Sequence, residues 1–355
     1  MTRRGSDLII GIVFMLSAFV APAAAEVDWF RGTWQEALSA ARVERRLIFA
    51  DFYNQTCMPC VRMDRTTFAD STVRAAMGDL ICLKLNGVSP EGRVVVAHLR
   101  IQGWPTLVVL DSTGTEIDRH IGYLAPTAFI AEIQRMRAGS GTIPDLRVRL
   151  AALPEDPHVL YELGRKLADR RDPDARSTLL HAVEACRAAG AGPADSAWWT
   201  IADVAWRDSA YAFETAACES ILACCPQGGY ADDVRDRLPD CYHRVGKDAL
   251  AVAMLRDAAR RDPEDRSTSV ALGQSLWDWN IDRDEGVRLL REAALHETRE
   301  PYVFMQLADM ERDRGNVPGE ADALRRAIAL CGENLVLAKV LREQLARLQG
   351  SAAPN

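Results

Sequence analysis

What this chain lacks narrows its chemistry first. No apolar run is long enough to span a bilayer: the longest, Leu8 to Ala21, is about 14 residues against the roughly 20 a membrane helix needs. There is no surplus of positive charge. Lys and Arg number 43 against 50 Asp and Glu, a formal net charge of −7, which argues against nucleic acid or an anionic membrane as partner. There is no second CxxC and no HxxxH pair, and the six histidines are scattered, so no zinc site is offered. No cysteine directly follows the apolar run, which argues against a lipoprotein.

The apolar run has its own meaning. Arg3 and Arg4 precede it, and Ala23-Ala24-Ala25 follow it before Glu26, the three parts of a secretory signal. Residues 1–25 are therefore expected to be a signal peptide, with the mature chain periplasmic or secreted. The alternative is a retained N-terminal membrane anchor. In an exported chain, nine cysteines are permitted to pair.

The most informative stretch is Cys57-Met58-Pro59-Cys60. It sits where a strand pattern, Leu47 to Tyr53, hands over to a helix pattern running through Val61, Met63 and Phe68. A thiol at a helix N-terminus faces unpaired N–H groups and the positive end of the dipole. Both favour thiolate, the attacking species in disulfide exchange. A purely structural bridge and half of a metal site are the rival readings; the strand–helix context favours redox exchange. Asp51 has apolar neighbours on both sides, Ile48-Phe49-Ala50 and Phe52-Tyr53, so burial is expected over a solvated strand edge. A buried carboxyl has a raised pKa, which suits a proton shuttle near neutral pH.

Residues 26–138 alternate helix and strand patterns, an α/β unit with a small mixed sheet. Helices are expected at Trp34–Arg45, from Cys57, at Ser71–Met77, Val94–Leu99 and Pro126–Met136. Strands are expected at Leu47–Tyr53 and Leu80–Leu85, with a hairpin of Thr106–Leu110 and Glu116–Ile121 around Asp111-Ser112-Thr113-Gly114. The composition breaks at 139–144, which reads as a linker. From 145 to 349 strands disappear. Apolar stripes such as Leu179/Ala182/Val183/Cys186 and Leu324/Ala327/Ile328/Cys331 recur at helical spacing. About five helix pairs fill Asp145 to Glu333, and Asn334–Leu348 closes the array before a tail at 350–355. The pairs repeat at roughly 32 to 39 residues, near the ~34 of tetratricopeptide (TPR) units, so a TPR-like solenoid is expected.

Cys82 and the stripe residues Cys186, Cys225 and Cys331 read as small core residues. Cys218, Cys224 and Cys241 fall within one repeat boundary and can staple it, with a connectivity the sequence does not give. Adjacent Cys224 and Cys225 bridge only with strain. Trp198, Trp199, Trp206, Trp277 and Trp279 read as packing between repeats rather than as a peptide groove.

The stretch from Ala50 through Asp64, then Thr67-Phe68-Ala69-Asp70-Ser71-Thr72-Val73, and later Gly103-Trp104-Pro105-Thr106, resembles the thioredoxin superfamily, in particular the C-terminal periplasmic domain of DsbD-type thiol:disulfide interchange proteins. The resemblance covers about a third of the chain. It implies a thioredoxin fold, with Cys57 as nucleophile, Cys60 as resolving thiol, Asp51 as the buried acid that exchanges protons with it, and Asp64 as a second acid. It also implies a cis Pro105 against the disulfide, substrate contacts from Thr56, Met58, Pro59 and Trp104, and Lys84 near the buried acid. The Cys57–Cys60 disulfide takes the place of a cofactor. Implied partners are protein disulfides and a DsbD-type membrane electron donor. Two positions depart from the family: Thr56 stands where tryptophan is usual, and Trp104 stands where a smaller residue is commoner. These bear on substrate preference and potential rather than on the chemistry.

The expected function is an exported thiol–disulfide oxidoreductase, in the reducing direction, whose helical repeats bind a client or partner. The alternative is a scaffold or holdase-like adaptor with an auxiliary redox domain.

Overall fold

The computed structural model describes residues 27–295, 301–332 and 334–351. The expected signal segment, 1–25, lies outside the described residues. The chain forms two compact units. One extends to Pro154 and includes Lys166–Ala175; the other comprises Glu155–Arg165 and the chain from Arg176 onward.

The first unit is α/β. In chain order it carries α1 (Trp34–Glu44), β1 (Ile48–Tyr53), α2 (Met58–Thr66), α3 (Ser71–Met77), β2 (Ile81–Asn86), α4 (Pro90–Leu99), β3 (Thr106–Leu110), β4 (Glu116–Ile121), α5 (Pro126–Arg137) and α6 (Ile143–Ala152). The sheet order is β2-β1-β3-β4, with β2 parallel to β1 and the other pairings antiparallel. Side chains alternate across a strand, and β1 uses both faces. Ile48, Ala50 and Phe52 pack with Trp34, Ile81, Leu83, Val95 and Val108 on one side. Phe49 packs with Met63, Phe68, Leu107, Phe129 and Ile133 on the other. Asp51 shares the parity of Phe49, so its carboxyl is aimed into an apolar layer.

Beyond α6 the described chain is all helical: α7 (Pro157–Ala168), whose end from Lys166 is counted with the first unit, α8 (Ala175–Ala189), whose first residue is too, α9 (Ala194–Arg207), α10 (Tyr211–Cys224), α11 (Ala231–Arg244), α12 (Asp248–Arg261), α13 (Arg266–Asp278), α14 (Arg283–Leu295), α15 (Pro301–Asp313), α16 (Val317–Leu330) and α17 (Leu335–Ser351). From α9 to α17 each helix packs on the next, the nearest-neighbour stacking of a solenoid. Close crossings need small residues. A Cβ on Gly286 of α14 would lie 2.7 Å from the carbonyl oxygen of Gly273 on α13, so neither position admits a side chain.

Three boundaries differ from expectation. α4 begins at Pro90 rather than Val94, because Ser89 caps it by accepting the Gly92 N–H at 3.0 Å and proline suits the first helical position. The glycine-rich stretch at 139–144 is a tight turn between α5 and α6, with Gly139 and Gly141 at φ of 69° and 60° and Thr142 as the next N-cap. α6, with Leu146 fully buried, is counted with the first unit, whose division from the second therefore falls near Pro154. The last helix runs to Ser351, into the expected tail.

Candidate active site

β1 ends at Tyr53 and the chain turns over Asn54, whose carbonyl accepts the Cys57 N–H at 3.1 Å while its Oδ1 accepts the Thr56 N–H at 3.1 Å. That turn delivers Cys57 to the N-cap of α2, where its Sγ accepts the Cys60 N–H at 3.1 Å. Pro59 lies in the first turn, where a missing N–H costs nothing. Cys57 and Cys60 are joined as a disulfide. Cys57 is half-buried and Cys60 is 4% exposed, so one sulfur is open to attack and the other is shielded. A backbone N–H aimed at Sγ, together with the helix dipole, favours thiolate at Cys57 once the bridge is reduced.

Asp51 is 2% exposed. The parallel register sets it directly opposite Lys84 on β2, and Lys84 Nζ lies 3.3 Å from Asp51 Oδ2. Among the described residues Asp51 Oδ1 has no hydrogen-bond partner. Burial pushes this carboxyl up to about 6; Lys84 pulls it down, and Asp64 pushes it up by a smaller amount. Lys84 also pairs with Asp64, which follows Cys60 by one helical turn and is open to water. The ammonium is walled by the rings of Tyr53, Phe68 and Trp29 at 5.0, 5.2 and 5.3 Å. One cation thus joins a buried acid to an exposed one. The arrangement can hold a proton on Asp51 near neutral pH and exchange it.

The Trp104–Pro105 bond is cis. Pro105 is buried, and its carbonyl accepts the Gly122 N–H at 2.8 Å. Trp104 is half-buried and lies against Gly87, just past β2, where a Cβ would meet the ring carbon Cη2 at 2.0 Å. Around the disulfide, Thr56, Met58 and Pro59 are exposed, Met58 at 74%.

Other chemistry-bearing residues fall elsewhere. Asp118 on β4 is fully buried and accepts from Lys166 Nζ and Arg135 Nη2, both at 2.6 Å, and from Arg170 Nη2 at 3.0 Å. Burial works to raise it, but Lys166 and Arg135 outweigh burial and hold it below the usual carboxylate range. Cys218, Cys224 and Cys241, which the sequence allowed but did not require to staple a repeat boundary, carry free thiols. Cys224 and Cys225 stand 3.0 Å apart, and burial, with Cys225 beside it, pushes the Cys224 thiol up to about 12. They line a cavity of about 710 Å³ with Cys186 and Trp198. Trp199 stacks on Tyr230 and Trp279 on His243, at 5.0 and 4.5 Å, as packing between repeats.

Sequence reasoning named Cys57, Cys60, Asp51 and Asp64, but it missed Gly87 and the breadth of Lys84's role. The parallel pairing of the Leu47–Tyr53 and Leu80–Leu85 runs would have set Lys84 opposite Asp51. A glycine immediately after a buried strand was the available signal for close approach by the loop's tryptophan.

Residues 34–137 match the Thioredoxin-like domain family. Over 157 residues the chain is 26% identical to a thiol:disulfide interchange protein DsbD from Photorhabdus laumondii subsp. laumondii, covering 38% of this chain and 27% of that one. The chain spans about a quarter or less of the length of the curated relatives it matches. Among solved structures, the oxidised C-terminal domain of Neisseria meningitidis DsbD is 20% identical, with a TM-score of 0.26, covering 28% of this chain and 90% of that one. The TPR protein YrrB is 16% identical, with a TM-score of 0.38, covering 56% of this chain and 97% of that one. Residues 34–137 are thus thioredoxin-like and similar to DsbD proteins, and the described chain beyond them is an array of helices.

Proposed function

We propose that this chain is an exported thiol–disulfide oxidoreductase that reduces protein disulfides. The observation that carries the reading is the shielded Cys60 and half-open Cys57 at the start of α2, with Asp51 buried on the same side of the sheet and bound to Lys84.

In the reduced enzyme, the Cys57 thiolate attacks one sulfur of a substrate disulfide. The substrate S–S bond breaks, one substrate thiolate leaves, and a mixed disulfide forms at Cys57. Cys60 then gives its proton to Asp51 and attacks Cys57 Sγ. The second substrate thiolate leaves and the Cys57–Cys60 bond closes. Two electrons have moved from the enzyme dithiol to the substrate. Asp64, through Lys84, relays the proton between Asp51 and water. Pro105 and Trp104 position an extended substrate, and Thr56, Met58 and Pro59 contact it. Turnover needs a dithiol donor, and similarity to DsbD supports a membrane donor of that type. The helical unit binds the client or a partner protein.

Reduction of insulin by the full chain, followed with and without Cys57→Ser, tests the reading. Loss of activity in the variant is expected. Activity independent of Cys57 overturns it. Client capture that survives Cys57→Ser but requires the helical unit would favour an adaptor instead.

A further inference from the structure

Two thiols of the helical unit meet in its interior. Cys218 on α10 and Cys241 on α11 are both fully buried on neighbouring helices that pack together. Thr215, one turn before Cys218, donates its hydroxyl to the Cys241 carbonyl at 3.4 Å, which holds the two helices in register here. Glu214 is fully buried beside them. Arg237 binds its Oε1 at 2.8 Å; Oε2 faces Arg244 at 3.7 Å and has no hydrogen-bond partner among the described residues.

We propose that Cys218 and Cys241 form a second dithiol–disulfide couple, which closes during folding in an oxidising compartment and bolts α10 to α11. Pairing them requires the sulfurs to come to about 2 Å, and the Thr215 contact already holds the two helices together at this level. The oxidant is a small-molecule or protein disulfide. The Cys218 thiolate attacks one of its sulfurs, breaking that bond and releasing one thiolate. Cys241, its proton passing to water, attacks the mixed disulfide and releases the second. Two electrons move from the cysteine pair to the oxidant, and the protons end on the released thiols. Because both side chains are shielded in the folded unit, exchange occurs while the helices are still apart.

The neighbouring thiols fit the role less well. Cys224 and Cys225 are adjacent, with Cα atoms ~3.8 Å apart, below the roughly 4.4–6.8 Å of ordinary disulfides.

The test uses the full chain carrying Cys57→Ser and Cys60→Ser, refolded from the reduced unfolded state in glutathione and glutathione disulfide. After acid quench, unfolding and alkylation, peptides are mapped without reduction. The expected result is a Cys218–Cys241 linked peptide and a loss of two alkylatable thiols from the seven outside the active pair. A rise in melting midpoint should accompany it and vanish on reduction and in Cys241→Ala. All seven thiols still alkylating, or Cys218 joined to Cys224 or Cys225, overturns the proposal. The same linked peptide sought in the unsubstituted chain keeps the test independent of whether a variant folds.

Discussion

The ring of Trp104 fills the space a side chain at Gly87 would need. A Cβ there would lie 2.0 Å from the ring, and the Gly87 N–H is tied to the Tyr53 carbonyl at 2.8 Å, so the backbone is not free to retreat. One aromatic ring thereby couples the cis-proline loop to the strand end that leads into Cys57.

Gly87→Ala should therefore displace Trp104, at a cost of about 1–3 kcal/mol from overpacking. Trp104→Ala should raise KM for a protein disulfide while leaving turnover of a small disulfide nearly unchanged. Made in the Trp104→Ala background, the glycine change should cost much less. Chemical denaturation of the four proteins of this cycle checks it. Additive losses would mean that the ring does not depend on the glycine.

Asp51 supplies a prediction in which stability and activity move oppositely. In the disulfide form the folded carboxyl releases its proton near pH 6, against 3.8 for an unperturbed Asp. A folded pKa that is raised means the stability present below about pH 4 is lost as pH climbs through 6. The distance between those two values makes the penalty at neutral pH about 3 kcal/mol. Asp51→Asn should be more stable than the parent at pH 7 by up to that amount, less whatever Lys84 loses, and the advantage should disappear at pH 4. Resolution of a Cys57 mixed disulfide should slow by at least about tenfold, and its rise with pH through 6 should flatten. Thermal unfolding and stopped-flow thiol exchange across pH 4–8 test both halves. A variant less stable at pH 7 would contradict the assignment.

Lys84→Met should move that same profile. Lys84 is the cation that lowers Asp51 against burial. Without it Asp51 holds its proton to higher pH, so the midpoint of the activity rise should shift upward from about 6. Lys84→Arg should return the midpoint toward the parent, because a charge is restored even if the fit among Trp29, Tyr53 and Phe68 is not. An unmoved midpoint would show that Asp51 does not control the profile.

What the sequence revealed tracks how local each signal was. The β3–β4 hairpin could be read to the residue because Asp111-Ser112-Thr113-Gly114 punctuates it and its strands are short and β-rich. The α2 cap was legible because cysteine pair, proline and strand–helix change lie within a few residues. The glycines at 139 and 141 did not announce a tight turn, because positive-φ glycine serves such a turn as readily as a linker. The Asp51–Lys84–Asp64 link depends on pairing β1 with β2, which no single window contains. The Asp118 cluster joins residues up to 52 apart along the chain, and nothing local in β4 announces it.

That cluster carries the last prediction, by contrast with Asp51. Both acids are buried, yet Asp51 has one cation and an unpartnered oxygen, whereas Asp118 accepts from Lys166, Arg135 and Arg170. Burial alone would raise both; Lys166 and Arg135 are enough to reverse it at Asp118, which sits below its usual range. A lowered folded pKa contributes stability that is present above the unfolded value and lost as pH falls below it. Asp118→Asn should therefore destabilise the first unit at pH 7 by about 3–5 kcal/mol, since the buried Lys166 loses the charge of Asp118. It should also flatten the loss of stability below about pH 4. The Cys57–Cys60 potential should not change, because the cluster is not part of the Asp51–Lys84 site. Urea unfolding at pH 3–7 and a glutathione redox titration separate these outcomes. An Asn variant as stable as the parent would mean that three donors binding one carboxyl add nothing to the fold.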